Sequence, residues 1–183
     1  MYPPIVDGPK TAEKQPWEDP NLRNQSQFLY MRSLARGKYR RWIGALRKKP
    51  NRLFDLSAHA ENGQVKSRYY GGMETVPVEQ ILGSEGRVED FDDAFNPLHE
   101  RNRSRWLKIA GLRLKGEVLP PVELVHMEDA YFVRDGHHRV SVARALGEEF
   151  IDAEVIHWDQ HKPSEANRIS VYAPRTRMAG QQF

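Results

Sequence analysis

Apolar and polar positions along the chain change their rhythm several times. Residues 1–21 show almost no periodicity and hold five of the twelve prolines, which predicts an extended lead-in. From Leu22 to Lys49 the rhythm is helical. Phe28, Met31, Ala35, Tyr39, Trp42 and Leu46 recur every three or four residues and fall on one helix face. Gly37 and Gly44 interrupt that pattern, each at a cost of about 1 kcal/mol relative to alanine. One helix, or two broken near Gly37, would satisfy it, and Pro50 provides the stop.

Residues 51–73 carry less pattern, with turn signals at Glu61-Asn62-Gly63 and Tyr70-Gly71-Gly72. Thr75 to Leu82 predicts a short strand and a turn, and the acidic loop Glu89 to Asp93 follows. Asn96 as cap and Pro97 at the first position predict a helix to Lys115, ended by Gly116. Trp106, Leu107, Ile109, Ala110 and Leu114 form its inward side. Strands are expected at Pro121–His126, Tyr131–Arg134 and Ile151–Val155, where apolar and polar residues alternate. Between the last two, Val140 to Leu146 has helical spacing and Gly147 ends it. The chain thus divides into a lead-in (1–21), a helical arm (22–50), a core (51–160) and a polar tail (161–183).

Charge sharpens this division. Residues 1–70 carry 14 basic and 6 acidic side chains, residues 71–100 carry 1 and 8, and residues 101–183 carry 13 and 11. A basic arm followed by an acidic strip suggests a polyanionic partner, or pairing of the two within the molecule. The absence of cysteine excludes disulfides, thiolate nucleophiles, iron–sulfur clusters and Cys-type zinc sites, and no haem is expected. No apolar run reaches the roughly 18 residues of a membrane span, and no signal pattern opens the sequence, so the cytoplasm is the expected compartment.

The candidate chemistry lies at Asp135-Gly136-His137-His138-Arg139, between a strand and a helix. A helix start offers unpaired N–H groups and partial positive charge, which suits phosphate. Gly136 permits close approach, and Arg139 can fork onto phosphate oxygens. His137 and His138 can donate hydrogen bonds or move a proton near neutral pH. Asp135 could cap the helix, orient a histidine or hold a magnesium ion. Asp-Gly is also a common hairpin turn, and this simpler reading stands beside the phosphate one.

These residues resemble the Gly-x-x-Arg box of the ParB N-terminal domain and sulfiredoxin superfamily. Val76-Pro77-Val78-Glu79-Gln80-Ile81 is similar to that family's first box, and Leu119-Pro120-Pro121-Val122-Glu123-Leu124 to its central strand; the resemblance spans roughly residues 73 to 157. It implies an α+β fold, with a small mixed sheet, flanking helices and an N-terminal helical arm. It also implies a nucleotide such as CTP, ATP or ADP, with magnesium at Asp135. Gly136, His137, His138 and Arg139 would cradle its phosphates, and Val76, Gln80 and Ile81 would contact the nucleoside. His137 stands where sulfiredoxin has its reactive cysteine and ParB a glutamate. Sulfinic acid reduction is therefore excluded, and ParB-type hydrolysis loses its acidic residue. The residues after the last strand are too few for a helix-turn-helix plus a dimerisation domain, which implies a stand-alone core, with homo-oligomerisation left open.

Three functions follow from this resemblance. The first is a regulatory or DNA-associated nucleotide-binding protein. The second is an enzyme of phosphoryl transfer or phosphodiester hydrolysis (a ParB-like nuclease, an NTPase or a kinase), with His137 as base. The third is an interaction protein with a vestigial site. For the arm, Arg36, Lys38, Arg40, Arg41, Arg47 and Lys48 are candidate contacts to DNA or RNA phosphates. Alternatively they form a solvated surface over a core-facing apolar stripe. An anionic membrane surface ranks last, because the apolar face is expected to be core.

Overall fold

The structure, a computed structural model, describes residues 19–49, 51–61 and 65–160. The expected tail and nearly all of the expected lead-in lie outside these residues. Element order is α1 (Pro20–Leu46), β1 (Phe54–Asp55), α2 (Leu56–Glu61), β2 (Val65–Pro77), β3 (Ile81–Ser84), α3 (Arg103–Leu114), β4 (Val122–Met127), β5 (Ala130–Asp135), α4 (His137–Leu146) and β6 (Phe150–Gln160). The six strands form one mixed sheet in the order β1-β3-β5-β4-β6-β2. β3 runs parallel to β1 and β5, β4 runs parallel to β6, and the β5/β4 and β6/β2 pairs are antiparallel. The α+β architecture, with its mixed sheet, flanking helices and N-terminal helix, is the one expected.

Both faces of the central strands are covered, which is why β4 reads as a mostly apolar run. Val122 and Leu124 face a core shared with Val133, Ala153, Val155 and Val140 of α4. Val125 and Met127 face a second core with Phe132, Trp158 and Leu56 of α2. Arg144 fastens α4 to the sheet edge by donating to the carbonyls of Val78 at 3.0 Å and Ile81 at 2.6 Å.

A third core lies where α1 crosses α3 and α4, around Tyr30, Leu34, Trp106, Ala110 and Val142. Trp106 is fully buried, meets the Tyr30 ring edge-on at 5.4 Å and donates to Ser141 Oγ at 2.9 Å. Ser141→Ala leaves that indole N–H without an acceptor and is expected to cost about 1–3 kcal/mol. In urea melts, the Trp106→Phe/Ser141→Ala double variant should cost less than the two single changes added. Full additivity would show that the bond contributes nothing.

α1 is a single unbroken helix, capped by Asp19 through the Asn21 N–H at 2.8 Å with Pro20 in the first turn. Gly37 marks a close approach, since a Cβ there would lie 2.8 Å from the Pro97 carbonyl. The face of α1 that packs inward is the reverse of the one expected. Ser26, Tyr30, Ser33, Leu34, Gly37 and Gly44 are buried. Phe28, Met31, Tyr39, Trp42 and Leu46 are all more than half exposed. Small residues let α1 lie close to its neighbours, which bulky ones at the same positions would prevent.

Two boundaries also differ. α3 begins at Arg103, after a short 3-10 turn over Glu100–Asn102, because Asn96 and Pro97 are engaged elsewhere. Asn96 donates its backbone N–H to Asp92 Oδ1 at 2.8 Å, and Pro97 bridges to Phe91. β2 runs straight through Tyr70-Gly71-Gly72, which is a bulge in the β2/β6 ladder and not a turn. Gly72 has φ +97°, and a Cβ on Gly71 would collide with the His157 ring.

Candidate anion-binding site

The site forms at the carboxyl ends of β3 and β5, which lie side by side and end at Ser84 and Asp135. The chain turns from β5 into α4 through Gly136, whose φ of +96° suits glycine. A Cβ there would lie 2.6 Å from Val122 Cγ1, so β4 packs directly beneath the turn. No side chain caps α4. Val140 N–H is the first to close back on the helix, reaching the Gly136 carbonyl at 3.0 Å. The N–H groups of His137, His138 and Arg139 precede it, at the positive end of the helix dipole.

Both histidines are buried, at 6% and 3% exposure, and their rings take different roles. His137 Nε2 shares a 2.6 Å hydrogen bond with the buried Ser84 Oγ, and its ring lies parallel to Phe91. His138 meets Phe91 edge-on, and neither of its ring nitrogens has a hydrogen-bond partner. Burial, with the nearby positive charge of Arg87, lowers the His137 pKa to about 4. Burial, with Arg105 and Arg87, does the same for His138. Both imidazoles are therefore neutral at pH 7.

Arg139 is already engaged. Its guanidinium donates to the Pro120 carbonyl at 2.8 Å, to the Pro121 carbonyl, and to Asp135 Oδ2 at 2.6 Å. It ties the start of α4 to the loop before β4. Asp135 is thus the ion-pair partner of Arg139, four residues away. Among the described residues no group of three His, Asp or Glu side chains could hold a metal ion.

Asp135, Gly136, His137, His138 and Arg139 line one shallow pocket, as expected of neighbours at a helix start. Arg87, from the loop after β3, and Arg105, from the first turn of α3, join them there. Neither arginine was a sequence candidate. No local motif marks them, since they meet the junction only through the tertiary fold. Ser84 was missed as well, although Gly83-Ser84 ends a strand just before a polar turn. Val76 and Ile81 lie elsewhere, within the core at 1% and 0% exposure, while Gln80 is exposed on the 3-10 turn between β2 and β3.

The arm candidates also separate. Arg40 is bound inward, with Nε 3.0 Å from Asp92 and a terminal nitrogen 2.6 Å from Asp93. Lys38 reaches Glu100 at 3.6 Å, and Arg52, just past the arm, reaches Glu89 at 3.4 Å. The acidic strip is therefore an internal partner of the basic segment. Arg36, Arg41, Arg47 and Lys48 are exposed.

No family model and no curated protein matches this sequence. Among solved structures, the chain is similar to sulfiredoxin from Arabidopsis thaliana, with 18% identity and a TM-score of 0.31, over 45% of this chain and 82% of that one. It is also similar to a Pnob8-like ParB-N domain, with 19% identity and a TM-score of 0.30, over 52% of this chain and 32% of that one. Each similarity covers about half of this chain.

Proposed function

We propose that the protein binds a nucleotide through its phosphates at the start of α4 and acts as a nucleotide-responsive regulatory protein. The observation that carries this reading is His138. A buried imidazole with two unpartnered nitrogens costs free energy unless something completes its hydrogen bonds. Here it sits beside an uncapped helix start, with Arg87, Arg105 and Arg139 around the same pocket. A phosphate would accept from the N–H groups and the arginines, and a His138 N–H would be a further donor. Arg139 also lines a neighbouring cavity of about 170 Å³ with Pro120, Phe150 and Ile151, a half-apolar place for the rest of a nucleotide. Magnesium would arrive with the phosphates and could meet Asp135 once that carboxylate released Arg139. In this reading His137, hydrogen-bonded to Ser84, positions the turn.

The test is thermal stability against CTP, ATP, ADP and GTP, each with and without magnesium, with inorganic phosphate as reference. Saturation at about 100 times Kd should add roughly 2.7 kcal/mol. His138→Leu should abolish the shift while leaving the unliganded protein about as stable as before, because the apolar side chain replaces two unpaired ring nitrogens and can still pack on Phe91. No shift with any nucleotide, or an unchanged shift in the leucine variant, would sink the assignment.

A further inference from the structure

Among the described residues, the apolar stripe on the outward face of α1 belongs neither to the buried core nor to the candidate site. Phe28, Met31, Tyr39, Trp42 and Leu46 are 67, 56, 63, 63 and 70% exposed. Soluble surfaces rarely carry so many large apolar side chains in one line. Their spacing repeats after eleven residues (Phe28 to Tyr39, Met31 to Trp42, Ala35 to Leu46). Eleven residues make almost three whole helical turns, so the stripe runs nearly straight along the axis, for about 27 Å. At roughly 100° per residue, Arg32 and Arg36 border one side of the stripe and Lys38 the other. All three are exposed, although Lys38 also reaches Glu100 at 3.6 Å and Arg32 the Ala145 carbonyl at 3.4 Å. No acidic residue lies between Leu22 and Lys49.

These facts limit what can cover the stripe. A second copy would bring one cation-bordered stripe against another, with no acid within either helix to relieve the repulsion. Duplex nucleic acid would satisfy the arginines but leave Phe28, Met31 and Leu46 against phosphates and sugars. A flat, anionic surface with an apolar layer beneath its charges satisfies both sets of residues. Large apolar side chains would enter the acyl boundary, Tyr39 and Trp42 would sit at headgroup depth, and the flanking cations would meet the lipid phosphates. We infer that α1 is an interfacial helix that docks the folded protein, lying flat, on anionic membrane. Its opposite face stays packed on α3 and α4 through Tyr30 and Leu34.

The experiment uses the full chain and sedimentation with vesicles of phosphatidylcholine alone, or with about one-third phosphatidylglycerol. Binding is expected to the anionic vesicles, falling with added salt. In a Trp17→Phe background it should be accompanied by a blue shift of tryptophan emission that Trp42→Phe removes, since Trp106 and Trp158 are already buried. Phe28→Gln/Leu46→Gln changes exposed side chains, should leave the circular dichroism unchanged and should abolish binding. Arg36→Gln/Lys38→Gln should weaken binding by roughly thirty-fold. Failure to bind either vesicle overturns the inference, as does binding that the Phe28/Leu46 variant retains. Two further results would also overturn it: an oligonucleotide captured through this stripe while vesicles are not, or a dimer that the same variant dissolves.

Discussion

Asp92→Ala is expected to destabilise the protein by about 3–5 kcal/mol, the cost of leaving a buried charge without its partner. Asp92 is fully buried. It accepts from Arg40 Nε at 3.0 Å, from the Ala94 and Asn96 N–H groups at 3.0 and 2.8 Å, and from the Asn96 side chain. One carboxylate thus folds its own loop and holds α1 to it. Its loss would leave those donors without an acceptor and the half-buried Arg40 with Asp93 alone. Asp93→Ala supplies the comparison, because that carboxylate is far more exposed and its pair with Arg40 should contribute less than about 1 kcal/mol. Urea unfolding of both variants checks the difference. Equal costs would show that burial at Asp92 does not set the strength of this contact.

Acidification from pH 6.5 toward pH 4 is expected to remove a large part of the protein's stability. His137 and His138 have their pKa values lowered from 6.5 to about 4, chiefly by burial. The unfolded chain takes up these protons near pH 6.5, whereas the folded chain resists them until about pH 4. Unfolding therefore binds protons between those values. The contribution is complete above pH 6.5 and is lost progressively as the pH falls to 4. Each histidine accounts for about 3 kcal/mol of that loss. Total stabilities are about 5–15 kcal/mol, so the pair alone could unfold the domain in mild acid. Melts between pH 7.5 and 5 test this above the range where carboxylates titrate. His138→Leu should halve the slope, and a flat profile would mean that the histidines do not resist protonation in the fold. A bound phosphate acts in the opposite sense. It favours the imidazolium of His138, so phosphate affinity should rise over the same pH interval.

The region from Pro121 to Val155 was largely legible in the sequence because alternation, helical spacing and two glycines agree there. Gly136 and Gly147 both adopt positive φ at the ends of α4, so the local signals coincide with the tertiary structure. In α1 the helix was legible but its buried face was not. Ser26, Ser33, Gly37 and Gly44 carry no hydrophobic signal, yet their small size is what lets the helix approach its neighbours. The bulky stripe opposite dominates any periodicity count. Only the end of β2, from Thr75, was legible, because Gly71-Gly72 carries the composition of a turn. The reason for Gly71, the His157 ring on the adjacent strand, lies far along the chain, while Gly72 supplies the positive φ of the bulge. In the site, the contiguous residues 135–139 were visible as a group. Arg87, Arg105 and Ser84 were not, since only the packing of α3 and β3 beside α4 brings them there. The pairing of Arg40 with Asp92 was legible only as a charge balance between two segments.

The β2/β6 ladder has a consequence for how the chain is made. β2 has β6 as its one neighbour in the sheet, in a register that runs from Pro77 opposite Phe150 to Val65 opposite Gln160. Its partner is therefore synthesised roughly 70 to 95 residues later, and contacts of such long range slow folding. At about 5–20 residues per second, a ribosome would leave β2 waiting for several seconds, with both edges unpaired and Val76, buried in the finished core, uncovered. Closure of the sheet is thus a late, C-terminal event, and a nascent-chain chaperone would have its longest opportunity on the segment from Val65 to Pro77.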